Sequence, residues 1–306
     1  MYQKRKIRAE KKNNDNGKSF SKVPISWYPG HMAKTKRLIK ENLSVIDCIY
    51  EVIDARVPYS SKIKDLDNLI GSKPRILVMT KYDLCDKQET DKFIKYYESI
   101  GYHVFKCNLT SDAKLNKLFE LSNKILEEKF TKMKEKGLTR NNIRVLVIGI
   151  PNVGKSTLIN KIVGKKITVT GNKPGVTKNL SWIRAASNIE LLDSPGILWP
   201  KLDQEKEALN LASTTAIREE ILPREDIAYY IIKFLHNYYP SILKENYNLT
   251  DISSFYEIYE TIGKKRGFIS RGGIINDDRV TDLIINDIKQ GKIKNITFDR
   301  IDDYEL

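Results

Sequence analysis

The chain has 306 residues, enough for two ordinary domains or for one domain with a helical appendage. Its 53 Lys/Arg outnumber 39 Asp/Glu, for a formal net charge of +14, and a 41% hydrophobic composition can bury a sizeable core, which excludes a disordered tail or a fibre. Cys48, Cys85 and Cys107 are spaced too widely for a zinc knuckle or a disulfide framework, so a reducing, cytoplasmic setting is expected. Apolar runs such as Val145–Ile148 are far too short to span a bilayer, which argues against a membrane protein.

The excess charge is unevenly placed. Residues 1–22 carry eight Lys/Arg against two Asp/Glu, residues 23–200 carry 30 against 18, and residues 201–306 carry 15 against 19. A surface of this kind suits an anionic polymer, because Lys/Arg that neutralise phosphates release counterions. The alternative is a merely solubilising lysine-rich surface. Residues 1–21 are rich in Lys and Asn with little periodicity and read as a basic arm. They contain no apolar core of a secretory signal, and Glu10 and Asp15 count against a transit peptide.

From Trp27 onward short apolar strands alternate with helical periodicity. Strands are expected at Val45–Ile53, Arg75–Met79, Tyr102–Lys106, Ile143–Ile148 and Ile189–Leu192, with a helix at about Asp112–Lys136. The pattern predicts an α/β domain with a parallel-rich sheet and helices on both faces, whose chemistry collects at the carboxyl ends of the strands. After Pro200 the strand signals fade. Helices are expected at Asp203–Arg218, Arg224–Tyr238, Ser253–Lys265 and Asp277–Gly291, the third capped by Asp251 or Ser253. The expected organisation is a basic arm (1–21), a nucleotide-binding domain (22–205) and a small all-α domain (206–306).

Gly149-Ile-Pro-Asn-Val-Gly154-Lys155-Ser156 has the spacing of a P-loop between an apolar strand and a helix, the context that makes the pattern specific. Its backbone, at Asn152, Val153, Gly154 and Thr157 as well, can wrap phosphates, Lys155 can reach the β- and γ-phosphates, and the Ser156 hydroxyl can ligate Mg²⁺. Asp193-Ser-Pro-Gly196 ends a second strand, 37 residues after Ser156. There Asp193 can hold Mg²⁺ through water and the Gly196 amide can sense the γ-phosphate, while Thr177 is a second hydroxyl candidate for the metal. Thr80-Lys81-Tyr-Asp83 looks like the guanine-reading NKxD motif with Thr for Asn, in which Asp83 would accept from guanine N1–H and the exocyclic amine and the Lys81 stem would lie along the base. Taken alone, it fits a surface turn equally well. The guanine motif precedes the P-loop, the reverse of an ordinary GTPase, an order a circular permutation allows because domain termini lie close together. The fifth motif is degenerate and falls near Cys107–Ser111.

Together with Trp27-Tyr-Pro-Gly-His31-Met-Ala-Lys34, Asp54-Ala-Arg-Val-Pro58 and Arg271-Gly-Gly-Ile-Ile-Asn276, these blocks make the chain resemble the ribosome biogenesis GTPase A (RbgA/YlqF) family of circularly permuted GTPases, over roughly residues 22–300. The resemblance implies a GTP-hydrolysing factor for late maturation of the bacterial large (50S) ribosomal subunit. It implies GTP-dependent binding to rRNA or a precursor particle, hydrolysis stimulated by the particle, and a protein that is cytoplasmic and monomeric off the ribosome. Ile197 stands where many GTPases carry a water-orienting Gln. The resemblance assigns that role to His31, whereas the residues alone fit a histidine that packs a helix. It also ties Asn152 to a K⁺ ion beside the phosphates, which would supply charge that an arginine finger gives elsewhere. Arg56 either faces RNA or braces the nucleotide site through Asp54. Lys34 and Arg37 beside His31, and the island Lys264, Lys265, Arg266 and Arg271 with Phe268, are candidate RNA contacts, the island reading equally as a solvated helix end. An RNA-binding protein that holds GTP as a structural ligand is the alternative, and a P-loop nucleotide kinase a weaker one.

Overall fold

The computed structural model describes residues 30–111, 115–138, 142–165, 180–185, 188–196, 205–217, 222–253 and 255–306, with the side chains of residues 30–32, 255 and 256 left out. The basic arm, Thr177 and Ile197 therefore lie outside the described residues.

Among the described residues the sheet has six strands: β1 (Cys48–Asp54), β2 (Arg75–Thr80), β3 (His103–Lys106), β4 (Ile143–Ile148), β5 (Ser181–Ala185) and β6 (Ile189–Asp193), in the order β3-β2-β1-β4-β6-β5. All pairs are parallel except β5 with β6. β1 and β4 are almost wholly buried on both faces, which accounts for their near-continuous apolar runs. β5 is the element that apolar patterning misses: it is an edge strand in which only Ile183 is buried, so it carries no apolar run.

Helices α1 (Gly30–Asn42), α2 (Leu66–Ile70), α3 (Lys87–Ser99), α4 (Leu115–Glu135) and α5 (Lys155–Val163) accompany the strands. Asp86 caps α3 by accepting from the Gln88 and Glu89 amides at 3.0 and 3.3 Å. Helices α6 (Glu205–Ser213), α7 (Arg224–Tyr238), α8 (Pro240–Tyr247), α9 (Phe255–Lys265) and α10 (Asp277–Lys289) follow. Before α9, Asp251 accepts from the Ser253 amide at 2.8 Å, and after α10 Gly291 takes φ 67°, a left-handed position suited to a helix end.

One apolar cluster runs from the sheet (Val52, Leu146, Leu191) into α7 and α10 (Ile231, Ile284), so the helical region shares its core with the sheet. The chain then returns. Residues 292–306 cross back to the loop after β1 and to the start of α3, where the Phe298 amide donates to Arg56 O at 2.7 Å and the Ile301 amide to Glu89 Oε1 at 2.9 Å.

Candidate functional site

Parallel pairing brings the carboxyl ends of β2, β1, β4 and β6 to one edge of the sheet, and each carries a motif. The register sets Asp54 beside Thr80 and Val147 beside Asp193. The guanine turn thus lies next to the end of β1, and the Asp193 segment next to the P-loop, although the sequence separates them widely.

The P-loop runs from β4 into α5. Gly149 approaches the Val52 carbonyl so closely that any Cβ would overlap it, and Gly154 takes φ 103° as the residue preceding α5. Asn152 is also left-handed, at φ 59°, and its amide nitrogen donates to Thr215 O at 2.6 Å, just after α6. Val153 is buried, while Ser156 and Thr157 are half-buried in the first turn of α5. The Lys155 ammonium is buried and donates to Gly149 O at 3.0 Å and Ile150 O at 2.8 Å. Burial pulls its pKa down to about 8 against the opposing field of Asp193.

Asp193 is buried, and burial raises its carboxyl pKa to about 6, with Lys155 working the other way. Among the described residues its Oδ1 has no hydrogen-bond partner. A carboxylate oxygen withdrawn from water without a donor is costly unless a cation meets it. The Ser156 hydroxyl and this oxygen therefore fit Mg²⁺ carried in with a phosphate ligand that Lys155 meets, and among the described residues no cluster of three or more His, Cys, Asp or Glu offers another metal site. Beyond Asp193, Ser194 donates to Val147 O at 2.8 Å, and a Cβ on Gly196 would meet the Pro151 nitrogen at 2.9 Å. The Asp193–Gly196 segment is thus laid directly on the P-loop, a contact that motif spacing does not reveal.

At the guanine turn the Thr-for-Asn departure has a structural answer. Thr80 is fully buried, and its hydroxyl lies 2.5 Å from Val153 O and 3.1 Å from Ile53 O, so it bridges the turn to the P-loop. Lys81, at φ 55°, donates to Asn152 O at 2.8 Å and to Asp54 Oδ2 at 2.7 Å. Asp83 is half-buried in the following turn, closed by the Leu84 amide on Lys81 O at 2.9 Å. The degenerate fifth segment is brought alongside: the Cys107 amide donates to Met79 O at 2.9 Å, and Leu109 packs near Gly154.

Of the two readings of Arg56, the structure bears out the ion pair with Asp54. Arg56 is 1% exposed and forks onto Asp54 at 3.1 and 2.9 Å, so it faces no RNA. His31 lies in the first turn of α1. Lys34 and Arg37 are exposed, the latter 3.5 Å from Glu41. In the island, Lys264, Lys265, Arg266 and Arg271 are exposed, but Lys264 pairs with Glu260 at 3.1 Å and Lys265 donates to Asn248 O. Phe268 is half-buried under the Arg279 guanidinium at 4.4 Å, so the apolar groups that the island presents outward are Ile269 and Ile274. The three cysteines are buried, and burial raises all three thiols, Cys48 to about 12, as small apolar residues require.

Comparison with known proteins agrees with this geometry. A family model described as a 50S ribosome-binding GTPase matches residues 144–258. Ribosome biogenesis GTPase A of Priestia megaterium is 41% identical over 279 residues, covering 90% of this chain and 97% of that one. The protein of the same name from Bacillus pumilus is 43% identical, covering 91% and 99%, and that of Thermotoga maritima 30% identical, covering 91% and 95%. A GDP-bound structure of YlqF superposes with a TM-score of 0.61 at 26% identity, covering 87% of this chain and all of that one. The chain belongs to the ribosome biogenesis GTPase A family, a GTP-hydrolysing enzyme that acts in ribosomal subunit assembly.

Proposed function

We propose that the protein is a GTP phosphohydrolase acting on a late precursor of the large ribosomal subunit, binding its rRNA in the GTP state and hydrolysing GTP faster on the particle. The observation that carries this reading is the packing of Gly196 on the P-loop at Pro151. A γ-phosphate held by the P-loop then lies within reach of the Asp193–Gly196 backbone, which leads into the helical region, so the nucleotide state can bias that region.

In this reading Lys155 and the amides of residues 152–157 hold the phosphates, Asp83 reads guanine, and the Gly196 amide senses the γ-phosphate. Ser156, Thr177 and Asp193 would hold Mg²⁺, which when bound compensates charge on the phosphates. Asn152 would meet K⁺ through its side-chain oxygen, since its nitrogen is engaged by Thr215. His31 positions the attacking water in place of the Gln whose position Ile197 occupies. The exposed cations of α1 (Lys34, Arg37) and of the island (Lys264, Lys265, Arg266, Arg271) meet RNA phosphates. A monomer off the ribosome, a cytoplasmic location and a division into a GTPase domain (22–205) and a helical domain (206–306) complete the proposal.

One residue keeps a second reading in play: Ile197 can neither donate nor accept a hydrogen bond, as an RNA-binding protein with GTP as a structural ligand would tolerate. Single-turnover GTP hydrolysis with and without large-subunit precursors separates the two. The proposal expects strong acceleration by the particle, and expects His31→Ala to lower the rate by about 10²-fold or more with GTP affinity nearly intact. No acceleration by the particle favours the second reading, and an unchanged rate for His31→Ala makes His31 structural.

A further inference from the structure

The most heavily partnered charged group beside the nucleotide site belongs to neither the P-loop nor the guanine motif. Asp54 ends β1 and is 1% exposed. Its carboxylate takes the Arg56 amide at 3.0 Å and the Arg56 guanidinium through Nε and Nη2 at 3.1 and 2.9 Å. The same carboxylate takes the Lys81 ammonium at 2.7 Å. Two cations thus share one buried anion, and one of them is the lysine of the guanine motif.

Lys81 needs such an anchor. It sits at φ 55°, in the left-handed region that costs an L-residue on the order of 1 kcal/mol, and strained residues of this kind persist only where the surroundings over-determine them. Its ammonium has two acceptors at hand, Asp54 Oδ2 and the P-loop carbonyl of Asn152 at 2.8 Å. The carbonyl alone leaves the ammonium free to swing about one point. The carboxylate supplies the second point and the opposite charge, keeping the lysine stem laid across the turn where a base would lie.

Arg56 reaches further. Its Nη1 donates to Ile288 O at 3.0 Å, a carbonyl in the last turn of α10 that also accepts the Gly291 amide at 3.1 Å, and its own carbonyl accepts the Phe298 amide at 2.7 Å. Lys81 is therefore joined to the C-terminal helices through two further charged groups, Asp54 and Arg56. Stability alone is a poor reason for such a cluster, because a buried ion pair often does no better than well-packed apolar residues of the same volume.

We propose that Asp54 and Arg56 are positioning residues of the guanine site: Asp54 holds Lys81 against the P-loop, and Arg56 fixes Asp54 while tying it to the end of α10. This rests on reading Lys81 as a guanine-site residue, which the same experiment tests separately.

The test measures affinity of the full chain for a fluorescent GDP analogue with Asp54→Asn, Arg56→Lys, Lys81→Met and the double variant Asp54→Asn/Lys81→Met. Lys81→Met is expected to raise Kd about tenfold or more, and Asp54→Asn at least about fivefold, while the double variant is no weaker than Lys81→Met alone, because residues acting through one contact are not additive. Arg56→Lys falls between Asp54→Asn and the unaltered protein, since an ammonium cannot reproduce the guanidinium fork. An unchanged Kd for Lys81→Met overturns the guanine-site reading and the inference with it. A weakened Lys81→Met beside an unchanged Asp54→Asn, or effects that add in the double variant, overturns the inference alone. If Asp54→Asn does not fold, Arg56→Lys, alone and combined with Lys81→Met, gives the same comparison. A merely structural Asp54 would lower the melting temperature without moving the Kd of the folded protein.

Discussion

Thr80 stands where the NKxD pattern carries Asn, and its hydroxyl joins the turn to the P-loop. Its oxygen lies 2.5 Å from Val153 O and 3.1 Å from Ile53 O in a fully buried position. Thr80→Val keeps the shape and removes the donor, leaving the Val153 carbonyl of the P-loop without it. The expected result is a loss of about 1–3 kcal/mol in stability, with GDP affinity lowered severalfold because the two loops are no longer joined. Urea unfolding read beside a GDP titration checks both, and an unchanged GDP affinity would show that the bridge serves stability only. From sequence the substitution was visible and its consequence was not: a TKxD segment says nothing about which carbonyl faces the threonine. The same holds for Arg56, whose charge suggests a surface and whose partners, Asp54 and Ile288 O, are brought to it by folding.

At the scale of elements, the segment after α10 is the part that periodicity left without a role. It is too short and mixed to read as helix or strand, yet Asp299 at its centre is fully buried and takes the Tyr59 and Ser60 amides at 2.7 and 2.8 Å, the Ser60 hydroxyl, Asn210 Nδ2 at 2.9 Å and the Tyr304 hydroxyl at 2.7 Å. Thr297 lies 2.8 Å from the Thr90 hydroxyl, and the Asp86 amide donates to Thr297 Oγ1 at 3.1 Å, so the segment fastens the start of α3 just beyond the guanine turn. Asp299→Ala removes the acceptor shared by five donors, three of which, the Ser60 amide and hydroxyl and Asn210 Nδ2, are fully buried. With buried donors left unsatisfied at about 1–3 kcal/mol each, it should cost several kcal/mol, read as a large fall in melting temperature. GDP should in turn restore part of the stability, by mass action on the folded state. A destabilisation below about 1 kcal/mol would mean that the segment is only laid on the surface. Helices with a stripe of apolar residues, such as Arg224–Tyr238, were legible to the residue, because one chain segment contains the whole signal. β5 was not, since an edge strand with one buried residue carries no apolar run, and the returning segment was not, since its partners are distant in sequence.

At the scale of the whole molecule, the +14 charge is distributed against expectation for a GTPase with a basic RNA-binding tail. The excess lies in residues 1–200, and the helical third is net acidic with a local cationic island. If RNA binding is largely electrostatic, a variant lacking residues 1–21, which hold seven of the eight Lys/Arg of the first 22 residues, should bind rRNA more weakly. Its plot of log affinity against log salt should also be shallower, by roughly 0.7–0.9 for each phosphate that the arm neutralises in the full chain. An unchanged salt slope would remove the arm from the RNA-binding surface and leave α1 and the island to carry it.

The chemistry and its order are legible in the chain alone: a P-loop after an apolar strand, Asp193 and Gly196 at a second strand end, a guanine motif ahead of both, and hence a permuted α/β GTPase with helices behind it. Those signals are local, each held within about ten residues by turn geometry and strand pattern. How the pieces are joined emerges only on folding. Gly196 rests on Pro151, Thr80 bridges to Val153, Asp54 and Arg56 link Lys81 to α10, and Asp299 draws the end of the chain back to the loop after β1. The parallel sheet is the cause of this division. It places the ends of non-consecutive strands about 5 Å apart, so the contacts that matter most are set by strand order, which no local pattern encodes.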